Sequence, residues 1–177
     1  ADPRFCDIAA LTGKALAERG INVVFGGGNS GLMGIVSQTA LQGGVRVTGV
    51  IPEFLKSKEP PADNLTRLIT VADMHERKRT MADLSDFFIA LPGGIGTFEE
   101  IFEVITNNTI GVFNKPAGFF NFDGYYDTLF QFMDQSAQAG FLTPQTRKLF
   151  NQSDKIDELI DLLAAETLRV RKAKDVA

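Results

Sequence analysis

The sequence predicts an α/β fold, a doubly wound parallel sheet with helices on both faces. Three observations predict it. Short apolar, β-branched runs alternate with segments of helical periodicity. The turns between them are short, as parallel strands joined through helices require. Two strand-to-helix connections are glycine-rich: Gly26-Gly27-Gly28-Asn29-Ser30-Gly31 and Pro92-Gly93-Gly94-Ile95-Gly96.

Each element has a local reason. Asp2 as N-cap and Pro3 at the first helical position open a helix carrying Phe5, Ile8, Leu11 and Leu16, and Gly20 closes it. Residues 21–25 read as a strand, followed by the first glycine run and a helix over 32–42. Strands are expected at 45–51 and 67–72, a helix at 73–84, and a buried strand at 86–91. After the second glycine run come a helix at 97–110, a strand at 116–121 and a helix at 124–139. A short strand near 148–150 and a helix from Ser153 to about Ala165 finish the pattern, and the charged tail 166–177 is expected to fray. The whole chain reads as one Rossmann-like nucleotide-binding domain. Such a domain normally opens with a strand, yet these residues open with a helix cap. A further strand and its loop are therefore expected ahead of the first helix.

Composition narrows the function. The 177 residues are 44% hydrophobic and 23% charged, ordinary for a globular domain with a real core. A net charge of −4 argues against broad binding to nucleic acid or anionic membrane. Any phosphate ligand must then be met by local cations. Cys6 is the single cysteine, so no intrachain disulfide forms and a cytoplasmic location is expected. No apolar run reaches the roughly 20 residues that span a bilayer.

The second glycine run carries the most chemistry. Glycines between a strand end and a helix start let backbone N–H groups point at an anion, and the helix dipole adds favourable potential there. Glu100 follows a few residues on, which suggests reaction on a phosphorylated substrate. Thr97-x-x-Glu100 also spells a capping box, a purely structural use. Upstream lies Asp73-Met74-His75-Glu76-Arg77-Lys78-Arg79-Thr80-Met81. On a helix, Met74, Arg77 and Met81 share one face. An inward guanidinium needs an anion: a structural carboxylate, substrate phosphate or Glu100. Lys78 supplies a second charge. His75 is the only histidine, so a multi-histidine metal site is excluded, and it reads as exposed or capping. No metal and no cofactor are expected. The first glycine run matches neither a dinucleotide fingerprint nor a Walker A loop. The strand after it carries no acid for a ribose, and Glu53 beyond Pro52 reads as a loop charge.

Together, Gly-Gly-Gly-x-x-Gly-Leu-Met-Gly, Asp-Met-His-x-Arg-Lys and Pro-Gly-Gly-x-Gly-Thr-x-Glu-Glu resemble the Lonely Guy (LOG) family, cytokinin riboside 5′-monophosphate phosphoribohydrolases often mislabelled as lysine decarboxylases. The likeness runs on through Lys115-Pro116, Asp123-Gly-Tyr-Tyr126 and Gly140-Phe141. It implies that Arg77 and Glu100 are the catalytic pair, with Arg77 orienting Glu100 and the substrate. It implies that Glu59, Lys78, Gly94, Gly96, Thr97 and Thr106 bind substrate. Gly27, Gly28, Met74, Gly93 and Ile95 complete the expected binding set. The implied reaction hydrolyses the N-glycosidic bond of a nucleoside 5′-monophosphate, and the implied assembly is a homodimer, or dimers of it, with the site near the interface. The Phe-rich segments 98–105 and 117–133 could supply that interface or only core. A general nucleotide nucleosidase and a non-catalytic binding protein similar to molybdenum-cofactor carriers remain open. Lysine decarboxylation does not, since no lysine sits in a Schiff-base context. The chain departs from the family pattern at Asn107, Asn108, Thr109 and around Phe113, which bears on the base preferred.

Overall fold

A computed structural model of the chain describes residues 2–175. They form two compact units, the first ending at Ser85 and the second beginning at Asp86. Each unit is built on a three-stranded, wholly parallel sheet with helices packed on it.

The first unit runs α1 (Pro3–Glu18), β1 (Val23–Phe25), α2 (Gly31–Gln42), β2 (Val47–Pro52), β3 (Arg67–Val71) and α3 (Met74–Leu84). The sheet order is β1-β2-β3, with Val23 opposite Val47 and Gly49 opposite Leu68. The Asp2 carboxylate caps α1 by accepting from the Arg4 N–H at 2.9 Å, and Pro3 stands at the helix start as expected. Helices α1 and α2 meet almost backbone to backbone. A Cβ at Gly13 would lie 2.7 Å from the Val36 carbonyl oxygen, so only glycine permits this approach. Ala9 and Ala40 fill the same contact and are fully buried. Helix α3 packs on all three strands, over the buried Val50 and Ile51 of β2.

The second unit runs β4 (Phe88–Ala90), α4 (Ile95–Thr109), β5 (Ala117–Phe120), α5 (Asp127–Gln138), α6 (Pro144–Arg147), β6 (Asn151–Ser153) and α7 (Ile156–Asp175), in sheet order β4-β5-β6. Its core centres on Phe119. That ring meets Tyr126 edge-on at 5.0 Å and Phe130 at 5.4 Å, and stacks on Phe150 at 6.0 Å. Most of the Phe-rich segments is thus core, joined by Ile101, Ile105 and Met133. Gly118 lets α7 lie directly on β5, where a Cβ would meet Leu159 Cδ1 at 2.7 Å.

Most strands are one or two residues shorter or shifted relative to the sequence reading, and four boundaries differ with a clear local consequence. Helix α4 starts at Ile95, not Thr97. Helix α5 starts at Asp127, because a short 3-10 turn over Phe122–Gly124 precedes it, with Asp123 and Gly124 at φ 52° and 70°. The last strand is Asn151–Ser153 rather than 148–150. Thr143 caps α6, and the N–H groups of Leu149 and Phe150 close its last turn on Thr146 and Arg147 carbonyls. Helix α7 continues through Asp175 instead of ending near Ala165 in a fraying tail; residues 176–177 lie outside the described residues. Thr167 is buried with its hydroxyl on the Leu163 carbonyl, and Arg171 pairs with Asp86 at 2.5 Å.

Candidate active site

In the first unit the site grows from the start of α3. The Asp73 carboxylate accepts from the Glu76 N–H at 2.8 Å, which holds its pKa below the usual carboxylate range. The Glu76 carboxylate in turn accepts from the Ala72 N–H at 2.7 Å. This reciprocal cap fixes the helix start and therefore which residue faces inward. That residue is Arg77, only 6% exposed. Its Nε donates to the Val50 carbonyl at 3.2 Å and its Nη2 to the Gly26 carbonyl at 3.1 Å, while Nη1 lies 3.7 Å from Met74 Sδ. The sequence left its partner open among three anions. These hydrogen bonds go instead to the main-chain carbonyls of Val50 within β2 and of Gly26 just after β1, and to a thioether. The guanidinium is thus tethered by neutral dipoles.

Gly26 makes this possible. A Cβ there would fall 1.9 Å from Arg77 Nη2. The following glycines are tied to the segment that carries Glu59. The Asn29 N–H donates to the Pro60 carbonyl at 3.0 Å, the Ala62 N–H to the Gly27 carbonyl at 2.9 Å, and Gly28 and Pro61 form an antiparallel bridge. The half-buried Glu59 carboxylate lies 3.5 Å from where a Gly28 Cβ would stand. Gly27, Gly28, Glu59, Met74 and Arg77 are thus brought together within this unit. Lys78 follows Arg77, half-buried, and His75 is exposed as expected. Sequence reasoning missed Met33, whose Sδ and Cε approach Gly26 and Gly28, each 3.5 Å from the Cβ position.

In the second unit, Gly94 is the N-cap of α4 and no side chain caps that end. Thr97 therefore occupies the third helical position, and Glu100 sits in the second turn, half-buried. The capping-box reading fails, because a box needs its threonine at the N-cap. The Thr97 side chain instead lies over Gly93, where a Cβ would meet its Oγ1 at 2.2 Å. The first helix bond on the cap carbonyl comes from the Phe98 N–H to Gly94, at 3.1 Å. The N–H groups of Ile95, Gly96 and Thr97 precede it and have no carbonyl one turn back. Gly94, Ile95 and Gly96 are exposed, Ile95 by 83%. Thr106 is exposed and lies about 15 Å along the helix axis from Gly96, so it is not brought to the glycine loop.

Both tyrosines of the chain hold this loop, which sequence reasoning did not foresee. Tyr126 donates its hydroxyl to the Leu91 carbonyl at 2.5 Å and Tyr125 to the Gly93 carbonyl at 2.8 Å. Burial pushes the Tyr126 phenol well above its ordinary pKa. Both bonds span more than 30 residues, so no local pattern in the sequence signals them. At the far end of α4, Asn108 clamps the following loop. Its amide donates to the Lys115 carbonyl at 2.8 Å, and its oxygen accepts from the Lys115 N–H at 2.7 Å. Phe113 stacks on Phe88 with centroids 6.1 Å apart. Among the described residues, no group of three or more His, Cys, Asp or Glu side chains could hold a metal ion, and no helix is long and apolar enough to cross a membrane.

Comparison with known proteins follows the same lines. A family model described as "Possible lysine decarboxylase" matches residues 33–163. The chain is 46% identical over 157 residues to a "Probable cytokinin riboside 5′-monophosphate phosphoribohydrolase LOGL3" of Oryza sativa subsp. japonica, spanning 89% of this chain and 74% of that protein. It is 44% identical over 158 residues to cytokinin riboside 5′-monophosphate phosphoribohydrolase LOG7 of Arabidopsis thaliana, spanning 89% and 73%. A molybdenum cofactor carrier protein from Chlamydomonas reinhardtii shares the fold at a TM-score of 0.70 and 20% identity, over 94% of this chain and 89% of that one. By this match and this identity over most of its length, the chain belongs to the Lonely Guy (LOG) family.

Proposed function

We propose that this chain is a phosphoribohydrolase that cleaves the N-glycosidic bond of N6-modified adenosine 5′-monophosphates, giving free cytokinin base and ribose 5-phosphate. The observation that carries the reading is the register of α4. The glycine loop leads into its open N-terminus, and Glu100 stands one turn further in, not at the capping position. In this reading the 5′-phosphate is held by the N–H groups of Ile95, Gly96 and Thr97, with Gly93 and Gly94 shaping the seat. Remote phosphate binding fixes the sugar for reaction. Glu100 stabilises the oxocarbenium charge that develops on the ribose and takes a proton from the attacking water. The C1′–N9 bond breaks, its electron pair leaves with the base, and the base gains a proton. Arg77 and Lys78 supply positive charge to the anionic substrate, which the net charge of −4 does not. Gly27, Gly28, Glu59 and Met74 complete the proposed substrate contacts, and Thr106, which is not brought to the glycine loop within the chain, is proposed to reach substrate only across the homodimer interface.

The working form is proposed to be a cytoplasmic homodimer or an assembly of dimers. Exposed Ile110 and Val112, 67% and 64% accessible, support an apolar contact outside the core. Light scattering on the eluted protein measures this directly. The activity is tested by product release from isopentenyladenosine monophosphate, AMP, CMP and isopentenyladenosine. Adenine-type base is expected from the monophosphates and not from the nucleoside. Release from CMP as well would move the assignment to a general nucleosidase, and no release from any of them to a binding protein.

A further inference from the structure

We infer that Tyr125 is a positioning residue that sets the orientation of the phosphate seat through the Gly93–Gly94 peptide; the inference rests on the phosphate-seat part of the function proposed above. Its hydroxyl donates to the Gly93 carbonyl at 2.8 Å. A trans peptide is planar, so fixing that carbonyl also fixes the Gly94 N–H, which points the opposite way. Gly94 is the N-cap of α4, so this one bond sets the angle at which the chain enters the helix. Gly93 and Gly94 have no side chain to restrain the peptide, and no side chain caps this end. The restraint comes from across the unit.

The bracket that carries Tyr125 is rigid. Its ring stands on Tyr126 edge-to-face, centroids 5.0 Å apart at 88°. Tyr126 is 1% exposed, packs edge-on against Phe119 and Phe98, and bonds the Leu91 carbonyl. The peptide after Leu91 ends in Pro92 and has no N–H, so Tyr126 only anchors the loop. Tyr125 acts on the peptide whose N–H faces away. The left-handed pair Asp123 and Gly124 turns the chain so that neighbouring tyrosines reach carbonyls two residues apart. Asn121 secures that turn, its side-chain oxygen accepting from the Tyr126 N–H at 2.7 Å. Tyr125 itself is 42% exposed, too open to be retained for core packing alone.

The test is Tyr125→Phe, which keeps the ring and removes only the hydroxyl. The readouts are ribose 5-phosphate affinity by calorimetry, KM and kcat for the nucleotide, and the melting temperature. Ribose 5-phosphate binding should weaken about five- to tenfold, about 1–1.4 kcal/mol. KM should rise by a similar factor, kcat should change less, and the melting temperature should stay near that of the parent. Unchanged affinity for ribose 5-phosphate overturns the inference, as does a lowered melting temperature with unchanged kinetic constants. If the parent binds ribose 5-phosphate but releases no base, the hydrolase assignment fails. The loss of affinity in Tyr125→Phe then still upholds the positioning role. A parent that binds neither nucleotide nor ribose 5-phosphate has no seat to position and overturns both.

Discussion

Replacing Gly26 with alanine tests how Arg77 is held. Gly26 is not among the glycines with left-handed backbone, so alanine is conformationally acceptable there and the effect isolates one contact. The new methyl would stand 1.9 Å from Arg77 Nη2 and 3.1 Å from its Cζ. The guanidinium is the end of a flexible side chain, but it is 94% buried by its 6% exposure and cannot move without releasing the Gly26 and Val50 carbonyls. Hydrogen bonds from a charged group are worth about 1.5–3 kcal/mol each, so two give about 3–6 kcal/mol. Part returns as the displaced group regains water, which sets the expectation at the low end, about 3 kcal/mol. For a chain of this size that lowers the melting temperature by roughly 6–12 °C. The assay is thermal denaturation by calorimetry, run with Arg77→Met and the double variant. Removing the guanidinium first should relieve the alanine, so the double variant should be more stable than the two single losses predict. A Gly26→Ala protein melting within about 1 °C of the parent, with additive losses, would refute the placement of Arg77 against this carbonyl.

Three further outcomes are expected. Glu100→Gln should lower kcat by about 10²–10⁴-fold while nucleotide binding by calorimetry persists, and normal turnover would remove Glu100 from the reaction. Tyr126 has a folded-state pKa above its unfolded value, so the unfolded chain loses its proton first as pH rises. Stability should therefore fall above about pH 10, and Tyr126→Phe should flatten that part of a urea-midpoint profile between pH 8 and 11. Asn108→Ala removes both clamps on Lys115 and should cost roughly 1–3 kcal/mol in urea unfolding, with faster hydrogen exchange at the Lys115 amide.

Caps and periodicity made much of this legible. Asp2-Pro3 opens α1 as read, because a cap is a local bond between near neighbours; the helix read from Asp73 begins at Met74, with Asp73 as its cap. The inward turn of Arg77 followed from its stripe with Met74 and Met81. Its partners did not, since carbonyls belong to the backbone and leave no trace in residue type. Thr97-x-x-Glu100 misled for a related reason. The pattern of a capping box was present, but three glycines allowed the helix to begin earlier, at Ile95. The strand Asn151–Ser153 is polar and at a sheet edge, so apolar patterning pointed three residues too early, to the residues that close α6. Tyr125 and Tyr126 act on Gly93 and Leu91 from more than 30 residues away, a separation reported by no local signal. At Asn108, a departure from the family pattern became a loop clamp, visible only once Lys115 was seen beside it.

The ladder that joins 27–29 to 60–62 is made of main chain: an Asn29 N–H on Pro60, an Ala62 N–H on Gly27, and a bridge between Gly28 and Pro61. Glu59 is further tied by its own N–H to the Leu55 carbonyl at 2.7 Å. Its place is therefore independent of the neighbouring side chains. Lys56 is half-buried and pairs with Glu53 at 2.7 Å, but Ser57 and Lys58 are exposed, so their side chains can be exchanged, or carry a fluorophore, without touching the ladder. An insertion is a different matter: residues 56–58 lie inside the turn that the Glu59 N–H closes on the Leu55 carbonyl, so added residues would open that bond and shift the carboxylate it positions.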